Sequence, residues 1–241
     1  MTVLERERVD AGIEVLRLAR PAVRNAMDSE LLAALLEALA ELAADPDLRV
    51  LVLSTTDTKA LCAGADVSEL LSPEQGVARM EAFGRFYAAV ESFPLPTIAV
   101  AVGNCVGAGA ELVAGVDLRV GGDNLKLAWA GARLGVPVGP ARLVPLVGES
   151  MAKGLVFTGR VVGVEEAERV GLLHATAPAA EAEERALELA REVAAKPRDG
   201  LVALKQLFRD GSASPARVAA ENAALEAFQR HGGGLPQGAR G

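Results

Sequence analysis

The period of the apolar residues changes once along this chain, near Glu149, and no other feature narrows the choice of fold as much. Before that point, short runs rich in Val, Ile and Leu alternate with stretches of helical spacing. Ile13 to Leu18, Arg49 to Ser54 and Thr97 to Val102 read as strands, the last entered from the rigid Pro94-Leu95-Pro96 corner, and Val116 to Val120 and Leu125 to Trp129 read as two shorter ones. Asp28-Ser29 caps a run to Ala44 with Leu31, Leu32, Leu35, Leu36, Leu39 and Leu42 on one face, closed by Asp45-Pro46. Further helices are predicted over 73–92 and 108–115. Past Glu149 the spacing is helical only: Ala182, Ala186, Leu189, Ala190 and Val193 share a face, and two more helices run over 201–209 and 214–231. A mainly parallel α/β sheet covered by helices is expected, with a helical last third packed on it or on a neighbouring subunit and a loose Gly-rich tail after Gly232.

Length and composition agree with one globular unit and remove several classes of function. At roughly 150 residues per domain, 241 residues make one large domain or one with an appended element. Hydrophobic residues are 51% and charged residues 24%, far from disordered or fibrous chains. Lys and Arg number 25 against 32 Asp and Glu, and the net charge of −7 argues against a broad nucleic-acid or anionic-membrane surface. The stretch from Thr97 to Val116 is long enough to span a bilayer, but it holds Asn104, Glu111 and four glycines, so it reads as strand, loop and helix. The first residues lack the apolar core of a signal peptide. Two cysteines, Cys62 and Cys105, and two histidines, His174 and His231, form neither a disulfide framework nor a metal set, so a cytoplasmic, metal-free protein is expected.

Nucleotide and serine-hydrolase motifs fail. The third glycine of a dinucleotide fingerprint beginning at Gly107 would fall on Leu112, no phosphate-cradling G-x-x-x-x-G-K-[ST] run exists, and Ser150, in Gly148-Glu-Ser-Met-Ala152, lacks the second glycine of a nucleophile elbow. Two other loops carry chemistry. Leu61-Cys62-Ala63-Gly64-Ala65-Asp66 follows a strand and precedes a short capped run; Gly103 to Glu111 is again strand, glycine-rich turn and helix. Small residues let such turns expose backbone N–H groups at a helix start, and two of them facing one carbonyl oxygen would make an oxyanion hole for a thioester enolate. Glycine-rich turns also occur as plain connections in α/β proteins. Glu111 tips the balance: set among Ala110, Leu112 and Val113, its carboxylate is desolvated and its proton affinity raised toward that of a working base.

Four ordered segments resemble the crotonase, or enoyl-CoA hydratase/isomerase, superfamily over nearly the whole chain. Arg20-Pro-Ala-Val-Arg-Asn-Ala-Met-Asp28 resembles its R-P-x-x-x-N-A-[LM]-[DT] segment, and Cys62-Ala-Gly-Ala-Asp66 its A-G-A-D loop. Ala101 to Leu112 with Asp117 resembles its A-x-x-G-x-x-x-G-x-G-x-E-L…D segment, and Phe157-Thr-Gly159 with Ala167 and Gly171-Leu172 its F-T-G…A…G-L stretch. The resemblance implies a crotonase-like spiral of ββα units over 1–148 holding an acyl-CoA site, and a helical trimerisation region over 149–241. The expected state is a homotrimer or a dimer of trimers. No separate cofactor is implied, since coenzyme A is part of the substrate. By position, the N–H groups of Ala63 and Ala108 form the oxyanion hole and Glu111 is one of two catalytic glutamates. Ala65, Asp66 and Val67 line the adenine pocket, Arg24 lies near the coenzyme A phosphates, and Gly107, Gly131 and Trp129 stand along the acyl channel, Trp129 alternatively in the core.

The second glutamate of the hydratases, in a Q-P-E-x-x-x-G pattern, falls here on Gly131. Hydration of a 2-enoyl thioester places a hydroxyl on C3 and a proton on C2, work that two carboxylates usually share around one water. The expected function is therefore enoyl-CoA hydratase, with three alternatives left open: isomerisation or decarboxylation using one carboxylate, or acyl-CoA binding without turnover. Arg133 either pairs with Glu111 or a substrate carboxylate or stays in solvent, and Tyr87 is expected to line the pocket.

Overall fold

A computed structural model describes residues 2–238. The chain opens with a hairpin, β1 (Leu4–Asp10) against β2 (Ile13–Leu18), and helix α1 (Ser29–Ala43) starts where the Asp28 carboxylate accepts the Leu31 N–H at 2.8 Å. Three turns of one pattern follow, each giving a strand to a large sheet and a short strand to a small one: β3 (Val50–Thr55) and β4 (Ala60–Cys62), β5 (Thr97–Ala101) and β6 (Asn104–Val106), β7 (Leu118–Gly122) and β8 (Lys126–Ala128). After each pair comes a helix: α2 (Pro73–Glu91), α3 (Ala108–Gly115), and the 3-10 turn Ala130–Leu134 leading into α4 (Pro140–Thr158). The large sheet has the order β1-β2-β3-β5-β7-β9, where β9 is Ala175–Ala177, parallel after the hairpin, and the small sheet is parallel in the order β4-β6-β8. This is the expected spiral of ββα units.

Helices cover both faces of the large sheet at its centre, so β3 and β5 are buried almost throughout and lack a polar alternate, whereas the edge strand β1 is largely exposed. Val50, Val52, Ile98, Val100 and Val120 pack against Ala182, Ala186, Leu187 and Ala190 of α6 (Ala182–Ala194). Leu51, Leu53, Ala99 and Ala101 face the main core with Leu31, Leu35, Phe83, Phe86 and Leu112.

The helical-only expectation past Glu149 needs correction. After α5 (Val164–Arg169), Ala175–Ala177 forms β9 and extends the large sheet beside β7; three residues are too few to leave an apolar period. Position 149 itself lies inside α4, just after Gly148, whose backbone (φ 76°, ψ 160°) kinks the helix. Helices α7 (Arg198–Gly211) and α8 (Ser214–His231) follow, and α8 packs along α2. The tail is not loose as far as it is described. Leu235 N–H donates to Gln229 at 3.1 Å and Leu71 N–H donates to Gln237 at 3.2 Å; residues 239–241 of that expectation lie outside the described residues.

Candidate active site

Close backbone contact brings the two glycine-rich turns together. A methyl on Gly109 would lie 2.1 Å from the Cys62 carbonyl oxygen, so α3 can start against the end of β4 only with glycine there. Gly64, at φ 117°, turns the first loop back along the segment after Arg20. That segment is fixed by Asn25, fully buried, which accepts from Arg20 N–H at 2.7 Å and donates to Thr55 Oγ1 at 2.7 Å and to the Ala60 carbonyl at 3.0 Å. These bonds hold Arg24 and Asn25 in the left-handed region, at φ 53° and 54°.

The same backbone decides which amides are available. Met27 N–H donates to the Gly64 carbonyl and Asp66 N–H to the Met27 carbonyl, both at 2.8 Å, a one-residue parallel bridge in which Ala65 presents its own N–H to the opposite side. The Ala63 N–H, expected to bind an oxyanion, is instead spent on the Arg24 carbonyl at 3.0 Å. Among the described residues the Ala65 N–H has no acceptor, and neither has that of Ala108, the first residue of α3. Ala65, Gly107 and Ala108 lie on one wall of a cavity of about 250 Å³. Its other walls are Gly131, Val136 and Val138, then Met80, Phe83 and Tyr87 of α2, with Leu225 of α8 and Leu235 of the tail across the top. A second cavity of about 400 Å³ shares Ala63, Ala65 and Val67 with the first and adds Arg24, Asp66 and Ser68. The Asp66 side chain is structural there. Burial acts to raise its proton affinity, yet bonds from Ser68 (2.6 Å to its hydroxyl) and the Arg20 guanidinium hold it below the usual range.

Glu111 is 1% exposed, in the first turn of α3, behind the wall rather than on it. Its Oε2 accepts from Arg142 Nε at 2.6 Å; Oε1 has no partner among the described residues and faces Gly139, where an added methyl would lie 3.4 Å away. Burial pushes the carboxyl up, Arg142 pulls it down and Glu221 pushes it up again; the net direction is up. Arg142 also donates to Glu221 of α8 and stacks over the Tyr87 ring, 4.5 Å from its centroid. Sequence reasoning missed Arg142, Glu221 and Asn25. The one available signal for Arg142 was a charge set between Ala141 and Leu143, since a lone charge in an apolar run is buried only when paired.

For two side chains the sequence left alternatives open. Trp129 is 2% exposed and absent from the cavity wall; its ring packs beside Gly139 in the core, because the turn at Ala130 and Gly131 directs backbone, not the indole, toward the channel. Arg133 does not reach Glu111: its guanidinium donates to the Gly159 carbonyl at 2.8 Å. Cys62 and Cys105 are buried, and burial pushes the Cys62 thiol up to about 12, so neither acts as a nucleophile at neutral pH. Among the described residues no helix is long and apolar enough to cross a membrane.

Comparison with known proteins agrees with this geometry. The enoyl-CoA hydratase/isomerase family model matches residues 8–232. A protein of Arabidopsis thaliana named "Probable enoyl-CoA hydratase 2, mitochondrial" is 33% identical over 207 residues, covering 84% of this chain and 69% of its own length. The 2,3-dehydroadipyl-CoA hydratase of Escherichia coli is 32% identical over 198 residues, covering 81% and 77%. An enoyl-CoA hydratase from Bacillus anthracis has the same fold, with a TM-score of 0.84 over 99% of this chain and all of its own at 24% identity. With two unpaired amides on one cavity wall and a buried carboxylate behind it, this crotonase-fold chain belongs to the enoyl-CoA hydratase/isomerase family.

Proposed function

We propose that this protein hydrates 2-enoyl-CoA thioesters with one carboxylate. The reading rests on one arrangement: the amides of Ala65 and Ala108 meet at a cavity wall, and Glu111 begins the same helix one turn on, one oxygen anchored and the other unpartnered. The thioester oxygen sits between the two N–H groups, where fixed dipoles stabilise charge that develops only as the enolate forms. Water bonds to C3, its proton passes to Glu111 Oε1, and the C2–C3 π electrons move onto the thioester oxygen. As the enolate collapses, Glu111 returns that proton to C2, and the product is the 3-hydroxyacyl thioester. One group takes and gives the same proton, so Gly131 in place of a second glutamate does not break the balance. Oε1 lies against Gly139, next in the chain to Val138 of the cavity wall, and the reading requires this wall to part when the acyl group enters.

The wall is almost wholly carbon, which suits an unbranched apolar acyl group, while the second cavity, with Arg24 at its edge, takes the nucleotide end of coenzyme A. Ala65 thus serves both cavities and replaces Ala63 as oxyanion donor. A single proton-handling group also serves a second reading: the same carboxylate would move a proton from C2 to C4 of a 3-enoyl thioester and so isomerise it. We infer a cytoplasmic homotrimer or dimer of trimers as the working form.

Loss of the conjugated thioester absorbance of a short 2-enoyl-CoA, abolished in Glu111→Gln, is the expected result. A gain of that absorbance from a 3-enoyl-CoA with no loss from the 2-enoyl would favour isomerisation. Coenzyme A thioester binding with neither change, or turnover unaffected by Glu111→Gln, overturns the assignment.

A further inference from the structure

Four helices converge on one guanidinium. Arg142 of α4 is buried between Glu111 of α3 and Glu221 of α8, with Tyr87 of α2 beneath it, and its remaining Nη1 has no partner among the described residues. Glu221 is itself fixed: its Oε2 accepts from Gly139 N–H at 3.1 Å and from Ala141 N–H at 2.8 Å, at the first turn of α4. The next charges out are Glu91 on α2, bonded by the Ser214 hydroxyl, and Arg217, 3.7 Å from Glu91 and bonded to the Ala141 carbonyl at 3.1 Å. The inner group is two carboxylates around one cation.

The chemistry proposed for Glu111 makes that count matter. A carboxylate that must both take and return a proton cannot be held as a permanent anion, yet a buried guanidinium at 2.6 Å would do that if Glu111 were its only partner. A second carboxylate on the far side divides the cation's pull, and in a poorly screened interior a like charge that close is felt strongly. We propose that Glu221 is a positioning residue of this site, acting through Arg142: it aligns the guanidinium that anchors Glu111, and its charge keeps Glu111 able to exchange its proton. The carboxylate absent at Gly131 is thus balanced by one behind the first, delivered from the C-terminal helix. The inference rests on Glu111 being the acid–base group.

Glu221→Gln is the direct test, because the amide keeps an oxygen for the Gly139 and Ala141 N–H groups while the charge is lost. With Glu221 neutral, Arg142 favours the Glu111 anion, so the acid limb of the kcat/KM profile moves to lower pH by about one unit, the size a charge within about 4–6 Å produces. Arg142→Lys keeps the charge but cannot fork between two carboxylates; kcat falls about a hundredfold, the scale of a misplaced catalytic group, with KM nearly unchanged. A Glu221→Gln profile that superimposes on the parent, or a limb moved upward, overturns the proposal, as does an Arg142→Lys effect confined to KM. If Glu221→Gln does not fold, the Arg142→Lys split decides. Glu111→Gln separates the two ideas: turnover retained there defeats the acid–base reading, whereas turnover lost there with Glu221→Gln unshifted defeats only the role of Glu221.

Discussion

Gly109 shows how narrowly single atoms set this site. Because a methyl would meet the Cys62 carbonyl oxygen at 2.1 Å, backbone against backbone, no rotamer relieves Gly109→Ala. Denaturant unfolding should show a loss of about 3 kcal/mol, the upper range of overpacking, and kcat should fall with it as the Ala108 amide moves away from that of Ala65. At Glu111 the prediction is a pH dependence. The base must be anionic to accept a proton, and burial raises its proton affinity above that of an ordinary carboxyl, so the acid limb of kcat/KM lies above about 4.3 and vanishes with activity in Glu111→Gln. The two glycine-rich loops and Glu111 were readable from sequence; hydrogen-bond direction was not. Ala63 and Ala65 look alike in Cys62-Ala-Gly-Ala-Asp66, and only the bond from Ala63 N–H to the Arg24 carbonyl, with the bridge to Met27 beside Ala65, tells which N–H is consumed. Arg142 and Glu221 lie 79 residues apart, and no local pattern joins them.

Among the elements, those with a long period were legible. α1, α2, α6 and α8 fall where the sequence places them, α1 by its cap and apolar stripe and α6 by its stripe, and β2, β3 and β5 announce themselves as runs buried on both faces. β4 and β6 were hidden because three residues inside a glycine-rich loop carry no period, although the expected site sits on their ends. The tail is the other element whose role depends on contacts rather than pattern. Leu225 and Leu235 line the cavity proposed to take the acyl group, and the tail that presents Leu235 is held by Gln229 and by the bond from Leu71 to Gln237. Leu235→Ala should therefore lengthen the acyl chain accepted. Each added methylene buried in the new space is worth about 0.8 kcal/mol, or about fourfold in kcat/KM. A series of acyl-CoA lengths run on parent and variant checks this; an unchanged preference means that the tail does not bound the pocket.

At the scale of the whole molecule, the unfinished surface is on α7. Leu204, Leu207 and Phe208 lie three and four residues apart on one stripe and are 55%, 67% and 77% exposed. The helix cannot roll to bury them, because Lys205 on its other face is fixed, donating to the Leu95 carbonyl at 2.8 Å and to Asp117 at 2.7 Å. Lys205 also shows why the stripe is not a folding error. Burying an ammonium group is favourable only when it is paired, so its two bonds select this orientation and leave the apolar stripe facing outward. Contiguous apolar surface of this kind is expected to meet another chain, and a second copy fits the homotrimer or dimer of trimers inferred above. Sedimentation of the parent should give a closed multiple of the chain, three or six. The double variant Leu207→Glu, Phe208→Glu should sediment as a smaller species with its Lys205 bonds, and hence its fold, intact by circular dichroism. A parent that sediments as a single chain would assign the stripe to a different partner.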